Sequence, residues 1–240
     1  MNVQLQFGLD VIRSYRRLPY TAWYALAEFV DNSTQSYADH KDELAAAYAD
    51  EGEMLEVSIV YSRNDPGLLR IADTAMGMSL EDLRQALHVG RPPDNTSGRS
   101  EFGLGLKTAA CWVGNVWTVK TKRLGLTEEY EITVDVEAVA EGNPELPLVV
   151  REGRDPRDHY TIVEIVQHNH VFQTRTLGKV EQYLGSVYRQ DLRTKSLRLE
   201  WQGKTLSWKV RIQGVWGSGQ VFRGCGRSYG AWRGAMRSGG

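Results

Sequence analysis

Four polar side chains fall together in one predicted helix, in a stretch that otherwise has the composition of a buried helix. Residues 25–36 read ALAEFVDNSTQS, with Glu28, Asp31, Asn32 and Gln35 at offsets of three, four and seven from the first. Because a helix turns about 100° per residue, the four lie within one sector. A glutamate one turn before an asparagine offers a general base beside an amide oxygen, and such an oxygen is a good ligand for Mg²⁺. The alternative is a solvated polar face.

A carboxylate at the end of a predicted strand is the second feature. In IADTAMGMS, Asp73 directly follows the strand, and Gly77 permits a tight turn before a helix that begins near Ser79. A carboxylate in this position can accept a hydrogen bond from an exocyclic amine. The alternative is an aspartate that only caps a turn.

A glycine-rich stretch that runs into a helix is the third feature. In SGRSEFGLGLKTA, Gly98, Gly103 and Gly105 precede Lys107. Helix N-terminal amides and glycine-rich backbone suit phosphate oxygens, and a lysine adds a positive charge. The spacing matches neither a P-loop nor a dinucleotide fingerprint.

Composition and charge limit the classes of protein to which the chain can belong. The chain has 240 residues, 41% of them hydrophobic and 25% charged, as in an ordinary globular protein. A net charge of -1 argues against a generally basic nucleic-acid binder but leaves a local patch open. Two cysteines imply no disulfide framework and favour a reducing compartment. No apolar run approaches the roughly 20 residues of a membrane span, and no secretory signal is visible. We therefore expect a cytoplasmic protein without a membrane partner.

The order of predicted elements indicates an α+β sandwich with helices on one face of the sheet. Residues 88–101 form a polar loop between helices, long enough to be functional or mobile. The predicted helices are 19–38, 39–50, 79–87, 104–113 and 174–192, and the predicted strands are 54–61, 67–73, 115–123, 128–139, 160–167, 195–201 and 205–210.

Together the motifs resemble the GHKL ATPases, the superfamily of gyrase B, the ninety-kilodalton heat-shock chaperone, histidine kinases and MutL. EFVDN resembles the N-box, which implies Glu28 as the base that activates water and Asn32 as the magnesium ligand. DTAMGM resembles the DxGxG box, which implies that Asp73 recognises the adenine amino group and that Gly77 lets the base approach. HYTIVEI supplies Thr161 in the position of a late-strand threonine near the adenine.

The lid and the rest of the nucleotide site follow from the same resemblance. GRSEFGLGLK resembles the glycine-rich box that closes over the phosphates, with Lys107 meeting a phosphate. The implied nucleotide-binding set also includes Asp31, Gln35, Met78, Gly98, Gly103, Leu104 and Gly105. One departure is Ala75, which replaces the first glycine of DxGxG and adds a methyl group near the adenine.

The resemblance covers residues 15–190 and implies a Bergerat-type two-layer α/β sandwich with a mixed, mostly antiparallel sheet. GLGLKTAA is most similar to the MORC-like or chaperone-like branch. The implied function is Mg²⁺-dependent ATP binding and slow hydrolysis, with lid closure driving dimerisation or domain rearrangement in a larger machine. The implied partners are ATP, a second copy of the chain, and a DNA or protein client bound through C-terminal or missing regions.

Three alternatives remain open from the sequence. The fold could bind nucleotide as a scaffold without catalysis. It could transfer phosphate like a histidine kinase, although Glu28 favours hydrolysis. A metal could bind His168 and His170, although no cysteine or carboxylate cluster is near them in sequence.

We expect residues 1–192 to form the ATP-binding domain and the hairpin in 193–212 to start a second, transducer-like domain. Residues 213–240 are rich in Gly and Arg and are predicted to be a flexible tail, with nucleic-acid contact as the alternative. Arg13, Arg16 and Arg17 are expected on a solvated helix face, with a basic patch or dimer arm as the alternative.

Overall fold

A central sheet organises the protein. The computed structural model describes residues 11–51, 54–88 and 105–208. Within them the strands are β1 (Glu56–Ser62), β2 (Leu68–Asp73), β3 (Gly114–Lys122), β4 (Glu129–Asp135), β5 (Leu148–Arg151), β6 (Tyr160–His168), β7 (Arg198–Trp201) and β8 (Lys204–Thr205).

The helices of the described residues fall before, between and after these strands. They are α1 (Val11–Ser14), α2 (Ala22–Asp39), α3 (Lys41–Glu51), α4 (Leu80–Leu87), α5 (Gly105–Val113), α6 (Val136–Ala140), α7 (Thr174–Val187) and α8 (Arg189–Thr194), with a 3₁₀ turn at Tyr15–Arg17.

The strand order is β5-β4-β3-β6-β2-β1-β7-β8. Neighbouring strands run antiparallel except β1 and β7, which pair in parallel. The predicted α+β class and the mixed, mostly antiparallel sheet are therefore confirmed. β2 and β6 lie side by side at the centre, with Asp73 opposite Thr161 in the register.

Burial alternates along the strands, which shows that helices cover one face of the sheet. Ile59 and Ile71 are buried, whereas Val60 and Arg70 on the opposite face are exposed or only partly buried. This period of two is the pattern of a sheet with one solvated face. α2 adds the other side of the core through apolar residues that include Leu26, Phe29 and Val30.

Two predicted elements are each divided in two in the structure. Residues 128–139 were expected as one strand, but β4 ends at Asp135 and α6 follows, because the Asp135 carboxylate accepts hydrogen bonds from the amides of Glu137 and Ala138 and caps a helix. Residues 174–192 were expected as one helix, but α7 and α8 are separated at Tyr188. The four-residue strand β5 and the short helix α1 were not predicted.

The C-terminal hairpin belongs to the main sheet. β7 pairs with β1 over Glu56–Ile59, and β8 extends the same sheet by pairing with β7. The described part of the 193–212 hairpin is therefore continuous with the ATP-binding fold rather than separate from it.

Arg13 and Arg16 make intramolecular ion pairs with α6. Arg13 Nε lies 2.7 Å from one carboxylate oxygen of Glu137, and a terminal nitrogen of Arg16 lies 3.2 Å from the other. These contacts attach the described N-terminal segment to the body of the protein. The described Arg17 is exposed.

Tyr188 connects α7 to α2. Its side chain is fully buried, and its hydroxyl lies 3.0 Å from the carbonyl oxygen of Ala27 and 2.8 Å from Oδ1 of Asp31. The hydroxyl has one proton for these two acceptors, so it alternates between them or donates to the charged one. The separation of α7 from α8 occurs at this anchored residue.

We expect Tyr188→Phe to lower the free energy of unfolding by about 1–3 kcal/mol, because it leaves polar groups on α2 without this buried donor. Urea denaturation followed by circular dichroism measures the change. Tyr24→Phe is the matched control, since Tyr24 is 50% exposed, and its effect should stay within about 0.5 kcal/mol. Equal effects of the two substitutions would contradict the assigned role of Tyr188.

Candidate functional site

A cavity of about 310 Å³ lies between α2, α4 and the sheet. Its apolar lining includes Phe29, Ile71, Leu106 and Val163, and its polar lining includes Asn32, Ser33, Asp73 and Thr161. An apolar cavity with a few convergent polar groups is the usual form of a small-molecule site. The predicted adenine-binding residues Asp73, Gly77, Met78 and Thr161 all line it.

Asp73 is held in place at the end of β2. Ser33 Oγ on α2 donates to Asp73 Oδ2 at 2.7 Å, and the amide of Ala75 donates to Oδ1 at 3.0 Å. Burial raises the pKa of Asp73 to about 6, against the opposing effect of hydrogen bonds from Ser33, Ala75 and Thr161. These hydrogen bonds fix the orientation of the carboxylate, which lines a cavity whose apolar walls and polar groups suit an adenine ring.

Gly77 is required by a close backbone crossing. Its φ is +70°, and a Cβ on this residue would overlap the carbonyl oxygen of Lys122 at the end of β3. Lys122 is itself immobilised, because its buried ammonium donates to the carbonyls of Arg123, Leu126 and Asp158. The tight turn predicted at Gly77 is present, and the structure adds the reason that no side chain fits there.

Two threonines connect the adenine-side loop to the sheet. Thr121 Oγ1 on β3 accepts a hydrogen bond from the amide of Met78 at 2.9 Å and lies 3.1 Å from Thr161 Oγ1 on β6. The hydroxyls thus form a short chain from the loop to the cavity. Thr161 reaches the cavity as predicted, and Thr121 positions it.

Ala75 fits the loop without strain. Its backbone does not adopt the positive φ that would demand glycine. Its amide bonds Asp73, and its carbonyl lies 2.9 Å from Nδ1 of His159. The backbone conformation of this box therefore tolerates alanine in place of its first glycine.

Glu28 lies against the first residue of α5. A Cβ on Gly105 would lie 2.2 Å from Oε2 of Glu28, so the carboxylate in its present position is in close contact with this glycine. Burial, and secondarily the charge of Asp31, raise the pKa of Glu28 above its ordinary value. A carboxylate made more basic, beside the N-terminal end of a helix whose amides suit phosphate, has the properties of a general base.

Asn32 lines the cavity one helical turn after Glu28. Mg²⁺ commonly binds proteins through one or two side chains, with substrate phosphates and water completing its shell. Within the described residues, no group of three or more His, Cys, Asp or Glu side chains could hold a metal alone. A single amide oxygen at the cavity wall fits a metal that arrives with a nucleotide.

Asp31 and Gln35 make contacts within the protein, and their assignment to the nucleotide stays a prediction. Asp31 accepts from Tyr188 on the side of α2 that faces α7. Gln35 Nε2 donates to Asp39 Oδ1 at 2.9 Å on the protein surface. Neither residue is in the cavity lining.

Lys107 also makes contacts within the protein. Its side chain is buried, and its ammonium donates to the carbonyls of Ala86 and His88 at 2.7 and 2.8 Å. These carbonyls end α4, where a cation is favoured by the helix dipole. In the described structure Lys107 thus fixes α5 to the end of α4, and its contact with a phosphate stays a prediction.

Two predictions remain, one on the glycine-rich segment and one on the histidines as metal ligands. Gly98, Gly103 and Leu104, together with the loop after His88, lie outside the described residues. The rings of His168 and His170 lie 3.2 Å from the carbonyl oxygens of Ile165 and Arg16. Those contacts are structural and do not support the metal alternative.

Sequence reasoning missed Ser33 and Thr121, which position Asp73 and Thr161. Both are small hydroxyl residues whose partners are about 40 positions away. Their signal is weak because such residues are common in helices and strands. Ser33 is 2% exposed, and a serine next to the predicted magnesium ligand was the one available clue.

The site and fold define the class of protein. The chain matches the family described as histidine kinase-, DNA gyrase B-, and HSP90-like ATPase over residues 20–158. It therefore belongs to this GHKL family and carries its ATP-binding module. A comparison with curated proteins gave no match. In the described helices, none is long and apolar enough to cross a membrane.

We expect Gly77→Ala to destabilise the protein and abolish nucleotide binding, because the methyl group overlaps the Lys122 carbonyl. Gly125→Ala is the matched control, since Gly125 has φ +81° but nothing within 4 Å of an added Cβ. Positive φ alone costs a non-glycine residue about 1–3 kcal/mol, so thermal unfolding should show a clearly larger loss for Gly77→Ala. Equal losses would contradict the steric argument.

Asp73 should titrate with a midpoint near 6, measured from the ¹³Cγ shift of labelled aspartate. Because the folded pKa lies above the ordinary value of 3.8, this group lowers the free energy of unfolding as the pH rises from about 4 to about 6. Asp155, whose pKa is lowered to about 2 by Arg157, is an internal control. Ser33→Ala should raise the Asp73 midpoint further, and an unchanged midpoint would remove Ser33 from this role.

Proposed function

We propose that the protein binds ATP with Mg²⁺ in the α2–sheet cavity and hydrolyses it slowly. The observation that carries hydrolysis is the contact between Glu28 and Gly105, which places a basic carboxylate beside the start of α5. A protein that only bound nucleotide would need Asp73 and the cavity but would have no use for this carboxylate.

The adenine end of the site provides recognition. The Asp73 carboxylate accepts a hydrogen bond from the adenine amino group, and Thr161 contacts the same end of the base. Phe29, Ile71 and Val163 supply apolar walls for the ring. Because Ser33 and the Ala75 amide already orient Asp73, little ordering is required when the nucleotide binds.

The phosphate end provides the chemistry. Glu28 takes the proton of the attacking water as its oxygen bonds to the γ-phosphorus and the bond to the β-phosphate oxygen breaks, which gives ADP and inorganic phosphate. Asn32 would hold Mg²⁺, which neutralises phosphate charge when bound. Gly105 keeps the Glu28 carboxylate at the start of α5, where the backbone amides suit phosphate oxygens.

Lid closure is the proposed output of the cycle. Lys107 attaches α5 to the last carbonyls of α4, so the two ends of the predicted loop between them are linked through one side chain. Nucleotide contacts at the start of α5 would therefore be transmitted to both ends of this loop. We propose that its closure favours dimerisation or domain rearrangement and limits the rate of turnover.

We expect Glu28→Ala to lower phosphate release by about 10²–10⁴-fold, the usual contribution of a general base, while ATP affinity changes little. Phosphate release at saturating ATP and Mg²⁺ measures the first quantity. Calorimetric titration with and without Mg²⁺ measures the second. Unchanged hydrolysis would exclude Glu28 as the base.

Two reference variants complete this experiment. Glu43→Ala removes an exposed carboxylate of α3 and should leave both quantities unchanged. Asp73→Asn should abolish ATP binding, and normal affinity in that variant would exclude the adenine assignment. Binding without hydrolysis in the unmodified chain would favour a nucleotide-binding scaffold.

A further inference from the structure

Charge is distributed very unevenly along the chain. Residues 1–168 contain 27 acidic and 16 basic side chains, whereas residues 169–240 contain three acidic and 13 basic ones, counting Lys and Arg as basic. The overall charge of -1 therefore conceals an acidic part and a strongly basic part. Such asymmetry is typical of proteins that bind a polyanion through one region.

Part of this basic region forms a described surface. Five cations on or just after α7 and α8 are exposed, namely Arg175, Lys179, Arg189, Arg193 and Lys195. Two acids occur in the same stretch, and one of them, Glu181, is paired with Lys204. The exposed surface of the α7–α8 segment therefore has a positive net charge.

Three aromatic rings, those of Tyr24, Trp23 and Tyr183, lie on α2 and α7, and of these Tyr24 is exposed while the other two are partly buried. Tyr24 on α2 is 50% exposed and meets Tyr183 on α7 edge-to-face, with ring centroids 5.1 Å apart. Lys179 Nζ lies 5.2 Å from the centre of the Trp23 ring. We name these three rings and the five cations the basic aromatic face.

We propose that the basic aromatic face binds single-stranded nucleic acid. Its cations match the phosphates of the backbone, and the exposed ring of Tyr24, beside the partly buried ring of Tyr183, offers a surface on which an unpaired base stacks. Cations together with stacking rings are the combination used by single-strand binding proteins. Bases in a duplex are already stacked, and an anionic membrane surface has no bases to stack, so the rings favour a single strand. The face lies outside the nucleotide cavity, and the inference stands independently of ATP hydrolysis.

The test uses the full chain and a labelled oligothymidylate of about 20 nucleotides, which exceeds the site size of a small binding module. Fluorescence anisotropy at low salt measures affinity without ATP. We expect Arg175→Glu with Arg193→Glu to weaken binding by about tenfold or more, and to reduce the slope of log affinity against log salt by about 1.4, at about 0.7 per lost contact. Lys41→Glu with Arg63→Glu is the matched control, since both are exposed on other elements, and should have a much smaller effect.

Stacking is tested separately from charge. Tyr24→Ala should weaken binding by about tenfold, because one stacked base is lost, whereas Tyr24→Phe keeps the ring and should bind normally. Equal losses in these two variants would exclude stacking.

Three further outcomes would overturn the proposal. The first is equal weakening by both charge-reversal pairs, which would indicate non-specific attraction. The second is normal binding by Arg175→Glu with Arg193→Glu while removal of residues 213–240 abolishes binding, which would place the site in the tail. The third is binding to anionic lipid vesicles but not to the oligonucleotide. None of these results depends on whether the chain hydrolyses ATP.

Discussion

The hydrogen bond from Ser33 to Asp73 fixes the main helix against the sheet at the base of the cavity. The bond is 2.7 Å long and joins α2 to the end of β2. Both partners lie among largely buried groups. An unpaired carboxylate in such a place would be costly. The bond therefore restrains both the position of α2 along its axis and its rotation about that axis. Once Ser33 is fixed, Asn32 must face the cavity and Glu28 must lie one turn away, at the start of α5.

The same constraint explains why the sequence predicted the polar face of α2 only in part. At about 100° per residue, Glu28, Asp31, Asn32 and Gln35 span a sector of about 100°. A sector this wide faces more than one neighbouring element of the fold. Asn32, at one margin, meets the cavity, and Asp31, at the other, meets α7. Gln35 has the right direction, but it lies almost two turns beyond Glu28 and reaches the surface. Helical periodicity gives direction, whereas the neighbours come from tertiary packing.

Asp73, Gly77 and Thr161 were predictable because backbone geometry restricts them. A strand end, a positive φ and a position in register opposite Asp73 each leave little freedom. Lys107 was less predictable. A lysine after a glycine-rich stretch suggests a phosphate contact, but seven residues of α5 are buried, and a lysine in such a helix must find acceptors wherever they are available. The carbonyls of Ala86 and His88 at the end of α4 accept hydrogen bonds from it.

Two short elements were not predicted from the sequence patterns, and the reason is physical. β5 has four residues at the edge of the sheet, and α6 has five residues after a strand of strong alternation. Periodicity needs more residues than these to be distinguished from chance. In α6 the decisive group is the single carboxylate of Asp135, which ends the strand by capping the helix.

One helix links the proposed nucleic-acid face to the proposed catalytic base. Tyr24 lies one turn before Glu28 on α2, so the outer ring and the carboxylate belong to the same rigid element. At the inner end Glu28 is in close contact with α5, because a Cβ on Gly105 would lie 2.2 Å from its Oε2. A ligand on the outer face that shifted or rotated α2 would therefore displace Glu28 relative to α5 or move α5 with it. α5 is in turn joined to the end of α4 by Lys107, so such a movement would also reach the end of α4.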